Sequence, residues 1–100
     1  MTGGKITNNT SDFAGGVCVT GRGSFTMTGG EITNNTTTSF GGGVYLSSDG
    51  AFTVSGNAKV TGNKQGDSAS NVYLANSALI TVGEGGLTSG ASIGVSMDFP

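Results

Sequence analysis

The sequence predicts an all-β fold, a solenoid in which short strands stack in parallel on their counterparts one repeat away. Three observations lead there. The first is an internal repeat: Met1-Thr2-Gly3-Gly4-Lys5-Ile6-Thr7-Asn8-Asn9-Thr10 returns as Met27-Thr28-Gly29-Gly30-Glu31-Ile32-Thr33-Asn34-Asn35-Thr36, with nine of ten positions identical. A worn third copy starts at Val54 and a fourth at Val82, so the starts lie 26, 27 and 28 residues apart. The second is that apolar residues alternate with period two and nowhere follow the 3.6-residue spacing of an amphipathic helix. The third is composition: 20 of the 100 residues are glycine, and Thr, Ser and Asn are abundant. That composition alone suits a flexible linker, but a linker has no reason to keep register over four copies.

Taken in chain order, each repeat opens with one aliphatic residue followed by a polar one: Ile6, Ile32, Val60 and Leu87. Next comes a run with aliphatic first and third positions: Val17-Cys18-Val19, Val44-Tyr45-Leu46 and Val72-Tyr73-Leu74. The last is Phe25-Thr26-Met27, Phe52-Thr53-Val54 and Ile80-Thr81-Val82. Such alternation marks a strand with one buried face, and β-branched residues favour it. The expectation is three short strands per rung and about 3.5 rungs of 26–28 residues, forming one segment over residues 1–100. Stacked strands lie about 4.8 Å apart, so like residues fall into inward columns. Helical solenoids and leucine-rich horseshoes lack this pattern, and a propeller blade needs about 40 residues. Gly15-Gly16 and Gly41-Gly42-Gly43 are read as sharp turns before the second strand. Length differences are confined to the loop Ser11–Ala14, with counterparts Thr37–Gly41 and Lys64–Asn71, and to the turn Gly56-Asn57-Ala58. Insertions in loops are what a solenoid tolerates.

The pattern F-T-M-x-G-G-x-I-T-x-N followed by G-G-G-V-Y-L resembles the repeats of bacterial right-handed parallel β-helix proteins, the pectin-lyase-like superfold. More narrowly it resembles repeat regions of large surface proteins of gut-type Gram-positive bacteria. The stretch NVYLANSALITVGEGGLTSGASIGVSM is similar to the last rungs of such arrays. The resemblance covers essentially the whole chain. It implies a structural or adhesive segment of a secreted or cell-surface protein with no catalysis of its own. Its partners would be neighbouring rungs of the parent protein and a surface glycan or host ligand. The alternative it implies is a fragment of a carbohydrate-active lyase or hydrolase, because the superfold hosts both.

Asn9, Asn35 and Asn63 each stand three residues after the first aliphatic position. In the fold this resembles, that column is an asparagine ladder inside a turn, where identical neighbours satisfy one another's amides. Asn8-Asn9-Thr10 and Asn34-Asn35-Thr36 also fit a glycosylation sequon, but the ladder is the expected role. Lys5, Glu31 and Lys59 alternate in charge down one outward column, as on a solvated face. Tyr45 and Tyr73 are expected to stack outward, with Cys18 as a free thiol in the same column. Thr26-Met27-Thr28 and Thr53-Val54-Ser55 resemble the Thr-x-Thr arrays of ice-binding solenoids, but Thr81-Val82-Gly83 breaks the pattern.

Catalytic groups are sparse. Asp12 and Asp67 fall in the same variable loop two rungs apart, about 9.6 Å at regular spacing, near the roughly 6.5–9.5 Å window of inverting glycosidases. Thr38 lies on the rung between them, and Asp49 and Arg22 belong to a different turn. No catalytic, cofactor or metal residues are therefore assigned. The absence of histidine and the single cysteine leave no zinc ligand set. No phosphate-binding glycine motif occurs among the glycines. A net charge of −2 with four basic residues argues against nucleic-acid binding. No run of 18 apolar residues spans a bilayer, and Met1–Thr10 has neither a basic segment nor an apolar core of a secretory signal.

Met1 occupies the repeat position of Met27, with nothing to cover the first rung. An uncovered rung exposes apolar interior and strand edges, so the isolated chain is expected to self-associate or be marginally stable. At the other end Ile93, Val95 and Met97 alternate before Asp98-Phe99-Pro100, which reads as a partial cap.

Overall fold

The computed structural model describes residues 1–39, 41–75, 78–87, 92–93 and 95–97. Among these the fold is all-β, and no helix occurs. The first repeat contributes β1 (Lys5–Thr7), β2 (Thr10–Ser11), β3 (Val17–Val19) and β4 (Ser24–Met27). The second contributes β5 (Glu31–Thr33), β6 (Thr36–Thr37), β7 (Val44–Leu46) and β8 (Ala51–Gly56). The third contributes β9 (Lys59–Thr61), β10 (Lys64–Gln65), β11 (Ser68–Ala69), β12 (Val72–Leu74) and β13 (Leu79–Leu87). β14 (Ser92–Ile93) and β15 (Val95–Met97) follow.

Equivalent strands pair in parallel, giving four sheets in the orders β1-β5-β9-β14, β2-β6-β10-β11, β3-β7-β12-β15 and β4-β8-β13. This corrects the expectation of three strands per repeat. The additional strand has only two residues and overlaps the start of the segment read as a variable loop. Thr10, Thr36 and Lys64 pair there, as do Ser11, Thr37 and Gln65. So short a polar strand shows no apolar alternation, yet its backbone still needs partners and finds them in the neighbouring repeat.

The inward columns form as the alternation requires. Val17, Val44 and Val72 pair in register, as do Val19, Leu46 and Leu74. Phe25, Phe52 and Ile80 align, and the Phe25 and Phe52 rings stack with centroids 5.3 Å apart. Phe52 is fully buried, whereas Phe25 and Ile80, on either side, are half-buried. Met27 and Val54 continue the core, while Val82, next in their column, is 56% exposed. Burial thus peaks in the middle repeat, where neighbours lie on both sides. Fully burying one such side chain contributes about 1.5–3 kcal/mol.

One column differs from the expectation. Ile6, Ile32 and Val60 align, but their fourth member is Ile93 and not Leu87. Leu87 lies opposite Gly56 and is 44% exposed. The cause is β13: after Val82 its register against β8 shifts, so the glycine-rich stretch stays in the fourth sheet where earlier repeats had turned away. The alternating Ile93, Val95 and Met97 are also not one strand. Ser92–Ile93 joins β9 in the first sheet and Val95–Met97 joins β12 in the third. Asp98-Phe99-Pro100 lie outside the described residues.

Of the glycine runs before the second strand, Gly41 takes the expected turn conformation with φ of 70°, while Gly15, Gly16, Gly42 and Gly43 have a further use. Gly15, Gly16 and Val17 donate their N–H groups to the carbonyls of Gly41, Gly42 and Gly43 at 3.1, 3.1 and 2.8 Å. A Cβ on Gly16 would sit 2.5 Å from the Gly43 carbonyl oxygen, and one on Gly43 would sit 2.5 Å from that of Asn71. Side-chain absence, more than a turn conformation, lets the backbones of adjacent repeats approach here. In the third repeat the segment lengthens into a hairpin, and β11 pairs antiparallel with β10 through Gln65↔Ser68 and Lys64↔Ala69.

Candidate functional site

The feature most fully built by the fold is a line of asparagine amides beside the first two sheets. The Asn9 N–H and Nδ2 both donate to Asn35 Oδ1, at 3.0 and 2.9 Å. The Asn35 N–H and Nδ2 donate in the same way to Asn63 Oδ1, at 3.0 and 2.9 Å. Two of the amides also tie back to the preceding repeat: Asn35 Nδ2 donates to the Ile6 carbonyl at 3.0 Å and Asn63 Nδ2 to that of Ile32 at 2.8 Å. Asn35 and Asn63 are completely buried, whereas Asn9 is exposed. The expected ladder is present, with two interior members and one at an end.

The Asn-Asn dipeptides divide the labour. Asn8 and Asn34 have φ of 61° and 58°, and Gly62 takes that place in the third repeat with φ of 69°. Asparagine tolerates this left-handed conformation better than most residues, and glycine tolerates it freely. The turn made by the first residue aims the second into the ladder. Asn8 and Asn34 themselves are exposed.

A fourth amide closes the line, and sequence reasoning missed it. Asn71 Oδ1 accepts from the Asn63 N–H at 2.9 Å and from Asn63 Nδ2 at 3.1 Å. Asn71 does not belong to the ladder column; its carbonyl accepts from Val44 N–H as the Gly43 carbonyl accepts from Val17 N–H. It therefore occupies the glycine column. The available signal was the replacement of Gly-Gly-Gly-Val by Ala-Ser-Asn-Val before the second Val-Tyr-Leu.

On the outer faces, Lys5, Glu31 and Lys59 align as expected, and Lys5 Nζ lies 3.5 Å from Glu31 Oε2. It is the ion pair found among the described residues. Lys5 is exposed and Glu31 half-buried at the surface, so it contributes at most about 1 kcal/mol. Thr2, Gly3, Gly4, Gly30, Glu31, Asn57 and Lys59 line an open polar depression of about 300 Å³ beside it. Tyr45 and Tyr73 stack with centroids 5.4 Å apart and planes 7° from parallel. The expected stack is present, and with Tyr73 only 8% exposed it is partly covered. Cys18 is exposed and pairs in register with Tyr45. Phe13, from the preceding loop, packs on the Tyr45 ring at 4.5 Å and supplies the aromatic contact that Cys18 lacks.

The carboxylates belong to different elements. Asp12 follows β2, and its carbonyl accepts from Thr38 Oγ1 at 3.3 Å. Asp67 sits in the β10–β11 turn, with β6 lying between β2 and β10. Asp49 belongs to the turn between β7 and β8. Among the described residues no three acidic or thiol side chains form a group suited to a metal ion. Compared with family models, curated proteins and solved structures, the chain matches none of them.

Proposed function

We propose that these residues are a segment of a right-handed parallel β-helix of the pectin-lyase-like kind. The segment serves a structural or adhesive role in a secreted or cell-surface bacterial protein, without catalysis of its own. The observation that carries this reading is the register. Residues 26–28 positions apart pair in parallel in all four sheets, and the Asn9-Asn35-Asn63 amides repeat the same step. A chain spending its buried polar groups on contacts between its own repeats is suited to holding shape. Its partners are neighbouring repeats and a surface glycan or host ligand met by the outer faces.

The test is incubation of the purified protein with polygalacturonate, alginate and related glycans, with and without calcium, followed by assay of reducing and unsaturated ends. No turnover is expected. Turnover abolished by Asp12→Ala or Asp67→Ala would overturn the reading in favour of a carbohydrate-active enzyme fragment.

A further inference from the structure

Four asparagines fit the Asn-x-Ser/Thr sequon: Asn8 with Thr10, Asn9 with Ser11, Asn34 with Thr36 and Asn35 with Thr37. The fold divides them into two kinds. Asn9 Nδ2 is given to Asn35 Oδ1, and Asn35 Nδ2 to the Ile6 carbonyl and Asn63 Oδ1. The hydroxyls of those two sequons are engaged as well. Ser11 Oγ donates to the Phe13 carbonyl at 2.9 Å and accepts from the Phe13 N–H at 3.2 Å. Thr37 is fully buried, and its Oγ1 accepts from the Ser39 N–H at 3.2 Å.

Asn8 and Asn34 are exposed, and among the described residues no hydrogen bond engages either side-chain amide. The same holds for the hydroxyls of Thr10, which is exposed, and Thr36, which is half-buried. Thr7 pairs in register with Thr33 and Thr10 with Thr36, so the two sequons lie side by side on adjacent repeats, about 4.8 Å apart. A Cβ on Gly62, the third member of the column, would lie 3.2 Å from Asn34 Oδ1, so the glycine leaves that flank of the amide uncovered. The third repeat also separates what the turn needs from what it does not. Gly62-Asn63-Lys64 keeps the left-handed turn, with φ of 69° at Gly62, and it keeps the ladder member Asn63. It has neither the exposed amide nor the hydroxyl two residues on. Turn and ladder therefore require neither group, yet Asn and Thr occur together in two repeats and are lost together in the third.

We propose that Asn8 and Asn34 are acceptor sites for an N-linked sugar, with the ladder residues Asn9 and Asn35 as the unmodified middle positions of the two sequons. The donor is a glycosyl diphosphate, nucleotide-linked or lipid-linked. The asparagine Nδ2 forms a bond to the anomeric carbon of the sugar. The bond from that carbon to the diphosphate oxygen breaks, and the diphosphate leaves with the electron pair. The amide nitrogen gives up one proton to a base of the transferase. The hydroxyl of Thr10 or Thr36 completes the sequon that the transferase reads. An attached sugar is bulky and solvated, and the exposed turn holds it clear of the buried amides. This modification goes beyond the structural role proposed above and does not depend on it.

The test exposes the folded chain to an Asn-x-Thr-specific transferase with a nucleotide-linked hexose and, in a separate arm, to an oligosaccharyltransferase with a lipid-linked oligosaccharide. Intact mass and peptide mapping read the product. Addition at Asn8 and Asn34, with none at Asn9 or Asn35, is expected in at least one arm, and the arm that reacts identifies the donor. Asn8→Gly and Asn34→Gly keep the turn as Gly62 does. Each should abolish addition at the replaced position and leave the other acceptor modified. Thr10→Val and Thr36→Val should abolish addition at Asn8 and Asn34 respectively, although the acceptor amide remains. No addition to the folded chain in either arm would overturn the inference. So would addition mapped to Asn9 or Asn35, or addition that survives the Thr variants. The glycan-cleavage assay above is untouched by any of these outcomes.

Discussion

Replacing Asn35 by Ala removes the central amide of the ladder, and the structure states which groups lose partners. Asn35 Oδ1 accepts from the Asn9 N–H and Nδ2, and Asn35 Nδ2 donates to the Ile6 carbonyl and to Asn63 Oδ1. Asn9 is exposed, so water replaces Asn35 Oδ1 as acceptor at modest cost. Asn63 Oδ1 keeps the Asn35 N–H. The Ile6 carbonyl loses its amide donor at a half-buried residue, and the space left by the deleted amide has no apolar filling. One buried polar group left without its partner costs about 1–3 kcal/mol, and the lost packing places the total toward the upper end. Urea titration of Asn35→Ala should therefore show a loss of about 2–3 kcal/mol. In a domain of this size that is a fall in Tm of roughly 10–20 °C. Asn9→Ala, at the wet end of the ladder, should cost below about 1 kcal/mol. Asn35→Asp at neutral pH should cost more than Asn35→Ala, because an ionised carboxylate faces Asn63 Oδ1 and the Ile6 carbonyl and can donate to neither. An Asn35→Ala loss within error, or one no larger than that of Asn9→Ala, would refute the buried ladder.

Gly43→Ala should destabilise by more than about 3 kcal/mol or prevent folding, since backbone oxygen lies where the Cβ would go. Gly3→Ala, with nothing within 4 Å, should stay within about 0.5 kcal/mol by the same titration. Phe52→Ala should cost about 3–5 kcal/mol, and Phe25→Ala clearly less, because only the first of these rings is fully buried. Equal losses would show that the core does not peak in the middle repeat. Lys5→Ala should change stability by at most about 1 kcal/mol, and the difference should shrink as salt is raised. A larger, salt-independent loss would assign Lys5 a role beyond its pairing with Glu31.

The sequence by itself determined which residues share a column wherever the repeat is intact. Ile6 with Ile32 and Val60, Phe25 with Phe52 and Ile80, and Asn9 with Asn35 and Asn63 all follow from equal spacing along the chain. Parallel stacking turns equal spacing into adjacency, and a one-residue slip would expose every inward group. What sequence reading missed has no local signature. β2, β6 and β10 are too short and polar to alternate, and they exist as strands only because the next repeat offers backbone partners. The glycines before Val17 and Val44 look like turn residues until the opposing carbonyl shows that the space itself must stay empty. Ile93 displaces Leu87 because a register shift inside β13 uses up chain that the repeat period had assigned to the first sheet. Asn71 closes the ladder from another column, with a side chain where Gly43, one repeat earlier, has no room for one. Each of these depends on how closely one repeat lies against the next, a distance set by packing between residues far apart in sequence.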